Sequence, residues 1–288
     1  MHSGGRRGLG RRVATAPPHR AVLPICRPSV LPSGVLPSGK EASPHHMPRP
    51  IPLDVCWCWQ EAQVPPRALV AVIDVLRATS TIVTALAAGA ASVRPVDSAS
   101  EALALRDSTP GCLLAGERGA LPIPGFDYGN SPATLLNAGV AGRQLVLATT
   151  NGSRALAMAA RRAECVTALS LLNVEAVAAA CAAARPESLY VLCSGTEGRF
   201  SADDAYVAGA LLDRLDVLAA GAYVWTETAR AVAWLYRGAP GPAFAALAAS
   251  GPGQSLVGKG FRADVEFCAQ RDAFALTPWL RDGRLVAS

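Results

Sequence analysis

Ala68-Leu69-Val70-Ala71-Val72-Ile73-Asp74-Val75-Leu76-Arg77-Ala78-Thr79-Ser80-Thr81 is the stretch that decides the fold. An apolar run without alternation predicts a strand covered on both faces, as in a largely parallel sheet. The run ends in a carboxylate, an arginine follows, and three hydroxyl residues open a helix. The same phrase returns along the chain. Further strands are predicted at 53–59, 92–96, 112–115, 144–149, 165–170 and 188–193. Helices are predicted at 79–90, 98–108, 131–138, 151–161, 173–184, 201–219, 227–237 and 242–249. This alternation predicts an α/β protein, a three-layer α/β/α sandwich around a largely parallel or mixed sheet. Residues 220–288 are predicted to be a mostly helical C-terminal lobe of the same domain.

The basic balance of the chain belongs to its beginning. Residues 1–46 carry seven Arg or Lys and one acid, Glu41, whereas the rest carries twenty basic and twenty-one acidic residues. That Pro-, Ser- and Gly-rich segment cannot bury a core and is expected to be a disordered extension, with the functional start at Met47 and one domain over 47–288. A near-neutral body gives no reason to propose nucleic acid as a partner. No apolar run reaches the length of a membrane span. The eight cysteines show no C-x-x-C spacing and fall mostly in apolar stretches, as small buried hydrophobes of a reducing, cytoplasmic compartment do. Self-association into a homo-oligomer is left open.

Polar residues gather where strands end and helices begin, which is where ligands bind in open α/β sheets. Four junctions stand out. The first holds Asp74, Arg77 and Thr79. The second runs from Gly116-Glu117-Arg118-Gly119 to Phe126-Asp127-Tyr128-Gly129-Asn130-Ser131-Pro132. The third is Thr149-Thr150-Asn151-Gly152-Ser153-Arg154, and the fourth is Cys193-Ser194-Gly195-Thr196-Glu197-Gly198-Arg199. Caps and ion pairs account for parts of each: Thr and Ser are common N-caps, Pro132 suits a first helical position, and Asp203 and Asp204 suit a helix first turn. Arg154 in a first turn does not fit that pattern, and a bound anion would remove the conflict. Arg77, Arg118, Arg154 and Arg199 together predict a crevice for a multiply charged anion, since guanidinium forks match phosphate and carboxylate oxygens. Hard oxygen ligands on glycine-rich loops suit Mg²⁺.

All four histidines (His2, His19, His45, His46) precede Met47. A body without imidazole excludes a Ser-His-Asp triad and His-dependent phosphatases, and disfavours catalytic zinc. No phosphate-binding P-loop pattern is present. One rival chemistry remains. Cys193 and Arg199 have the C-x₅-R spacing of cysteine-dependent phosphatases, with Glu197 placed where it would repel the phosphate.

Taken in order over roughly 52–285, these junctions, together with Asp264-Val265-Glu266-Phe267-Cys268-Ala269, resemble the 2-phosphosulfolactate phosphatase family of coenzyme M biosynthesis. One departure is Asp203, where a glutamate is expected. The resemblance implies a Mg²⁺-dependent phosphatase that hydrolyses (2R)-2-phospho-3-sulfolactate, or a related 2-phospho acid, to 3-sulfolactate and phosphate. The reading assigns Asp74, Glu117, Glu197 and Arg199 to catalysis, Glu197 or Asp74 being the general base. Metal ligands are expected among Asp74, Glu117, Asp127 and Glu197. Substrate contacts are expected from Arg77, Thr79, Arg118, Asn130, Ser131, Thr149, Thr150, Asn151, Gly152 and Arg154. The alternatives are the Cys193/Arg199 thiolate enzyme and a non-catalytic binder of phospho acids. The surplus of carboxylates argues against the binder, because holding an anion needs arginines only.

Overall fold

The computed structural model describes residues 49–288; the expectations for residues 1–46 lie outside them. The chain begins with β1 (Ile51–Cys56) and β2 (Leu69–Ile73), followed by α1 (Ala78–Ala87), β3 (Ser92–Val96), α2 (Ala99–Ser108) and β4 (Leu113–Arg118). A two-residue strand β5 (Leu121–Pro122) and a single turn α3 (Pro132–Leu135) lead to β6 (Gln144–Ala148), α4 (Gly152–Ala160), β7 (Cys165–Leu169), α5 (Val174–Ala184), β8 (Leu189–Cys193) and α6 (Ala202–Leu218). The last part comprises β9 (Tyr223–Trp225), α7 (Glu227–Gly238), α8 (Ala243–Ala249), α9 (Gly251–Gly258), α10 (Arg262–Cys268), β10 (Pro278–Arg281) and β11 (Arg284–Ala287).

One mixed sheet runs in the order β5-β4-β6-β3-β11-β10-β7-β2-β8-β1-β9. Two parallel blocks, β4-β6-β3 and β7-β2-β8-β1-β9, are joined through the antiparallel hairpin β10–β11. Leu69, Ala71 and Ile73 of β2 pack into one core with α5 and α6, and Val70 and Val72 pack into the other with α1 and α4. Helices on both faces account for the apolar run without alternation, and the architecture is an α/β/α sandwich.

The C-terminal portion differs from the expected helical lobe. Its helices α7–α10 are present, but the chain then returns to the middle of the sheet as β10–β11. The turn between these strands is Asp282-Gly283, both with positive φ, 48° and 75°. Two such residues match the twist of a tight hairpin, and glycine adopts that region without steric cost. No helix among the described residues is long and apolar enough to cross a membrane.

Candidate active site

The parallel register brings the carboxyl ends of β2 and β8 side by side, and Ser194 N–H donates to the Ile73 carbonyl at 2.7 Å. Asp74 follows β2 directly. Its Oδ1 accepts the Ala78 N–H at 3.2 Å, and its backbone N–H donates to Thr79 Oγ at 3.2 Å. Thr79 is fully buried by this role, so its hydroxyl caps the junction rather than facing a ligand. On the other side lies the start of α4. A Cβ built on Gly152 would stand 2.8 Å from Asp74 Oδ2 and 2.5 Å from the Ala78 Cβ. Only glycine permits that approach. Burial is the largest influence on the Asp74 carboxyl and, with the negative charges of Glu117 and Asp203, lifts it to about 7 against the N–H bonds that stabilise its ionised form.

Glu117 closes β4 and is buried. Its Oε1 accepts both the N–H and the hydroxyl of Thr150, each at 2.8 Å, and its Oε2 accepts the Ala120 N–H at 2.9 Å. Thr150 therefore reaches the site through Glu117. Thr149 is buried and shares its hydroxyl with Ser153 at 3.1 Å, which ties the turn before α4. Asn151 is the cap residue of α4 and makes no side-chain capping bond.

Two further acids complete the cluster. Asp204 is buried and bridges the two strand ends, Oδ1 accepting Val75 N–H at 3.0 Å and Oδ2 accepting Gly195 N–H at 3.1 Å. Burial, then Asp203 and Asp74, push its carboxyl well above the ordinary range. Asp203 is also buried and accepts the Ser201 hydroxyl; burial raises its carboxyl too. The sequence alone assigns these two residues to the helix dipole. A usable signal was present: Ala205-Tyr206-Val207-Ala208-Gly209-Ala210-Leu211-Leu212 is apolar on every side, which predicts a helix buried all round, its first-turn acids included.

Other expected site residues lie elsewhere. Asp127 is exposed and its Oδ2 accepts the Leu114 N–H at 2.8 Å, near the start of β4, whereas Glu117 is near its end. It does not join Asp74 and Glu117. Glu197 sits exposed at the tip of the tight turn closed by Thr196 and Arg199, at φ 52°. Its place is a hairpin tip packed through Phe200 against Trp57, not the carboxylate cluster. Arg77 is buried, donating to Asp264 Oδ2 at 2.5 Å and the Ala120 carbonyl at 2.7 Å, with Phe261 stacked 4.6 Å from its guanidinium. Both terminal nitrogens are committed, so Arg77 ties β2 to α10 instead of standing open to an anion. Ser131 donates to the other oxygen of Asp264 at 2.6 Å. Arg118 holds the carbonyls of Glu117 and Asp97. Arg154 and Arg199 are exposed near two of the strand ends.

Arg77, Asp127, Asn130, Ser131, Phe261 and Asp264 line a cavity of about 480 Å³ that reaches Ala120, whose N–H is held by Glu117. Asn130 is buried there and its Oδ1 has no hydrogen-bond partner. Cys193 is buried below the cluster, and burial followed by the Asp204 charge pushes its thiol well above 9. A buried thiol with a raised pKa argues against a cysteine-dependent mechanism, which needs the thiolate.

Comparison with known proteins identifies the family. The family model for 2-phosphosulpholactate phosphatase matches residues 59–283. A probable 2-phosphosulfolactate phosphatase of Deinococcus radiodurans is 43% identical over 212 residues, covering 74% of this chain and 87% of that protein. One of Thermus thermophilus is 42% identical over 213 residues, covering 74% and 88%. One of Thermosynechococcus vestitus is 38% identical over 252 residues, covering 84% and 97%. With a family model spanning most of the chain and relatives matched over nearly their whole length, this chain belongs to the 2-phosphosulfolactate phosphatase family.

Proposed function

We propose that this chain is a Mg²⁺-dependent phosphoric monoester hydrolase of the cytoplasm that converts (2R)-2-phospho-3-sulfolactate to 3-sulfolactate and phosphate. The observation that carries the chemistry is the convergence of Asp74, Glu117, Asp203 and Asp204 without a histidine, with Asp74 lifted to about 7. Converging negative charge in a buried place is offset by a cation. No group of three or more Asp, Glu, His or Cys among the described residues is gathered closely enough to form a protein cage for a metal. Mg²⁺ needs none: it binds through one or two carboxylates, waters and substrate phosphate oxygens. Glu117 fits that part. Three N–H and O–H donors orient it, and Oε2, with one donor only, retains a lone pair. Asp127 and Glu197 stand outside this arrangement. When bound, the metal supplies neutralisation of charge on a phosphoryl oxygen.

Asp74 is kept for the proton. A carboxyl near neutrality exchanges a proton at working pH, which suits a general base. It takes a proton from the attacking water as the water oxygen bonds to phosphorus and the ester P–O bond breaks. The departing 2-hydroxyl oxygen takes a proton from solvent water, and Asp74 returns its own proton to solvent, which closes the cycle. Arg154 and Arg199 engage the charges of the substrate. The test is phosphate release from a panel of esters, 2-phosphosulfolactate against analogues without sulfonate or without carboxylate. The full substrate is expected to turn over best. Equal rates on all would reject the assigned specificity, and no rate on any would favour a binding protein. In the same assay Cys193→Ser is expected to stay within about twofold of wild type; loss of turnover with the fold intact would restore the thiolate mechanism.

A further inference from the structure

We propose that Lys259 is a positioning residue of the reaction: it latches the Gly119-Ala120 turn in the orientation that aims the Ala120 N–H at Glu117. This rests on the phosphatase reading above, in which Glu117 is the carboxylate that meets Mg²⁺. The turn joins β4 to β5. The register pairs Arg118 with Leu121 and leaves Gly119 and Ala120 as a two-residue loop. Both have positive φ, 59° and 72°. That is the type I′ form, in which both central residues are left-handed.

The sequence favours a different turn. Glycine first and a side chain second suits type II′, where only the first residue needs positive φ. Alanine in the left-handed region is disfavoured by its Cβ, and such residues persist where the surroundings over-determine them. The two turns differ by a flip of the single peptide between Gly119 and Ala120. A flip would turn both the Gly119 carbonyl and the Ala120 N–H away from their present partners. Those partners hold the peptide at both ends. Ala120 N–H donates to Glu117 Oε2 at 2.9 Å, and Lys259 Nζ donates to the Gly119 carbonyl at 3.0 Å. Arg77 donates to the next carbonyl, that of Ala120, which a flip leaves in place. Lys259 therefore opposes the flip from outside the hairpin.

The ammonium is delivered from a fixed base. Lys259 follows α9, and its N–H donates to the Ser255 and Leu256 carbonyls. Phe261 N–H donates back to the Leu256 carbonyl, and the Phe261 ring stacks on Arg77. A lysine at a helix C-terminus ordinarily serves the helix dipole. This one reaches a carbonyl of another element, 140 positions away. An exposed contact of this kind adds little to global stability. Its effect falls on one peptide, whose orientation decides whether Glu117 keeps its third donor. With the Ala120 N–H turned away, Oε2 has no donor and the carboxylate pivots on its Oε1 bonds to Thr150.

The test is Lys259→Met in the full chain, alone and combined with Ala120→Gly. Each protein is read by Mg²⁺ titration calorimetry, by kcat and KM on 2-phosphosulfolactate, and by thermal midpoint. Lys259→Met is expected to weaken Mg²⁺ binding about tenfold, the lower end of the range for groups that orient a metal ligand. Its midpoint is expected to stay within about 2 °C of wild type. Ala120→Gly in the same chain is expected to restore binding to within about threefold of wild type, because glycine takes the left-handed conformation without steric cost. Mg²⁺ binding by Lys259→Met within about twofold of wild type overturns the proposal. So does a double variant as weak as the single one, and so does weak binding accompanied by a lowered midpoint, which would make Lys259 structural. A wild type that binds no Mg²⁺ and hydrolyses no phosphate ester overturns the phosphatase reading and this proposal together. That result is told apart from the others because the defect is already present before any substitution.

Discussion

Asp74→Asn is expected to lower kcat by about 10²–10⁴-fold, the range for losing a general base, while the protein stays folded. The substitution keeps the shape and the oxygen that accepts the Ala78 N–H. It removes a group whose ionisation is opposed by burial and by Glu117 and Asp203. Stability is therefore expected to hold or to rise, since a like charge leaves a crowded site. Steady-state phosphate release and a thermal melt on the same sample check both parts. A kcat within threefold of wild type would move the base elsewhere, Asp203 being the next carboxylate in the cluster.

The second large effect concerns stability. Asp264→Ala leaves the Arg77 guanidinium buried without its anion, under Phe261. Breaking one side of a buried pair costs about 3–5 kcal/mol. For a domain of this size that is a fall of roughly 6–20 °C in Tm. The double variant Arg77→Met, Asp264→Leu is expected to melt well above Asp264→Ala, because no uncompensated charge remains. Calorimetry on the three proteins settles it: equal midpoints for Asp264→Ala and wild type would mean that the pair does not hold α10 to β2.

Much of the fold was legible because its signals are local. β3 spans the predicted residues, and most other early strands and helices lie within three residues of their predicted bounds. The long apolar strands and the polar residues that follow them announce both the parallel sheet and the edge where chemistry collects. The hairpin β10–β11 was not predicted. Each strand has four residues, no alternation marks them, and their central position depends on distant partners such as Thr167 and Val93. Asp282-Gly283 was the one local clue.

The site was legible in part for a related reason. Sequence shows which residues carry charge but not which charges are already satisfied. Arg77 reads as an anion ligand until Asp264, 187 positions away, is seen to occupy it. Asp127 and Glu197 read as metal ligands because they stand on glycine-rich loops, yet one is spent on a backbone N–H and the other points from an exposed turn. Asp203 and Asp204 read as ordinary first-turn acids, and only burial makes them part of the cluster with Asp74.

The central claim is that carboxylates and a divalent cation, not a thiol or an imidazole, remove phosphate from a 2-phospho-3-sulfo acid. The most direct measurement is phosphate release from (2R)-2-phospho-3-sulfolactate by the full chain stripped with EDTA and then titrated with Mg²⁺. The account predicts activity that falls to background on stripping and returns with Mg²⁺. Full turnover in excess EDTA would contradict it.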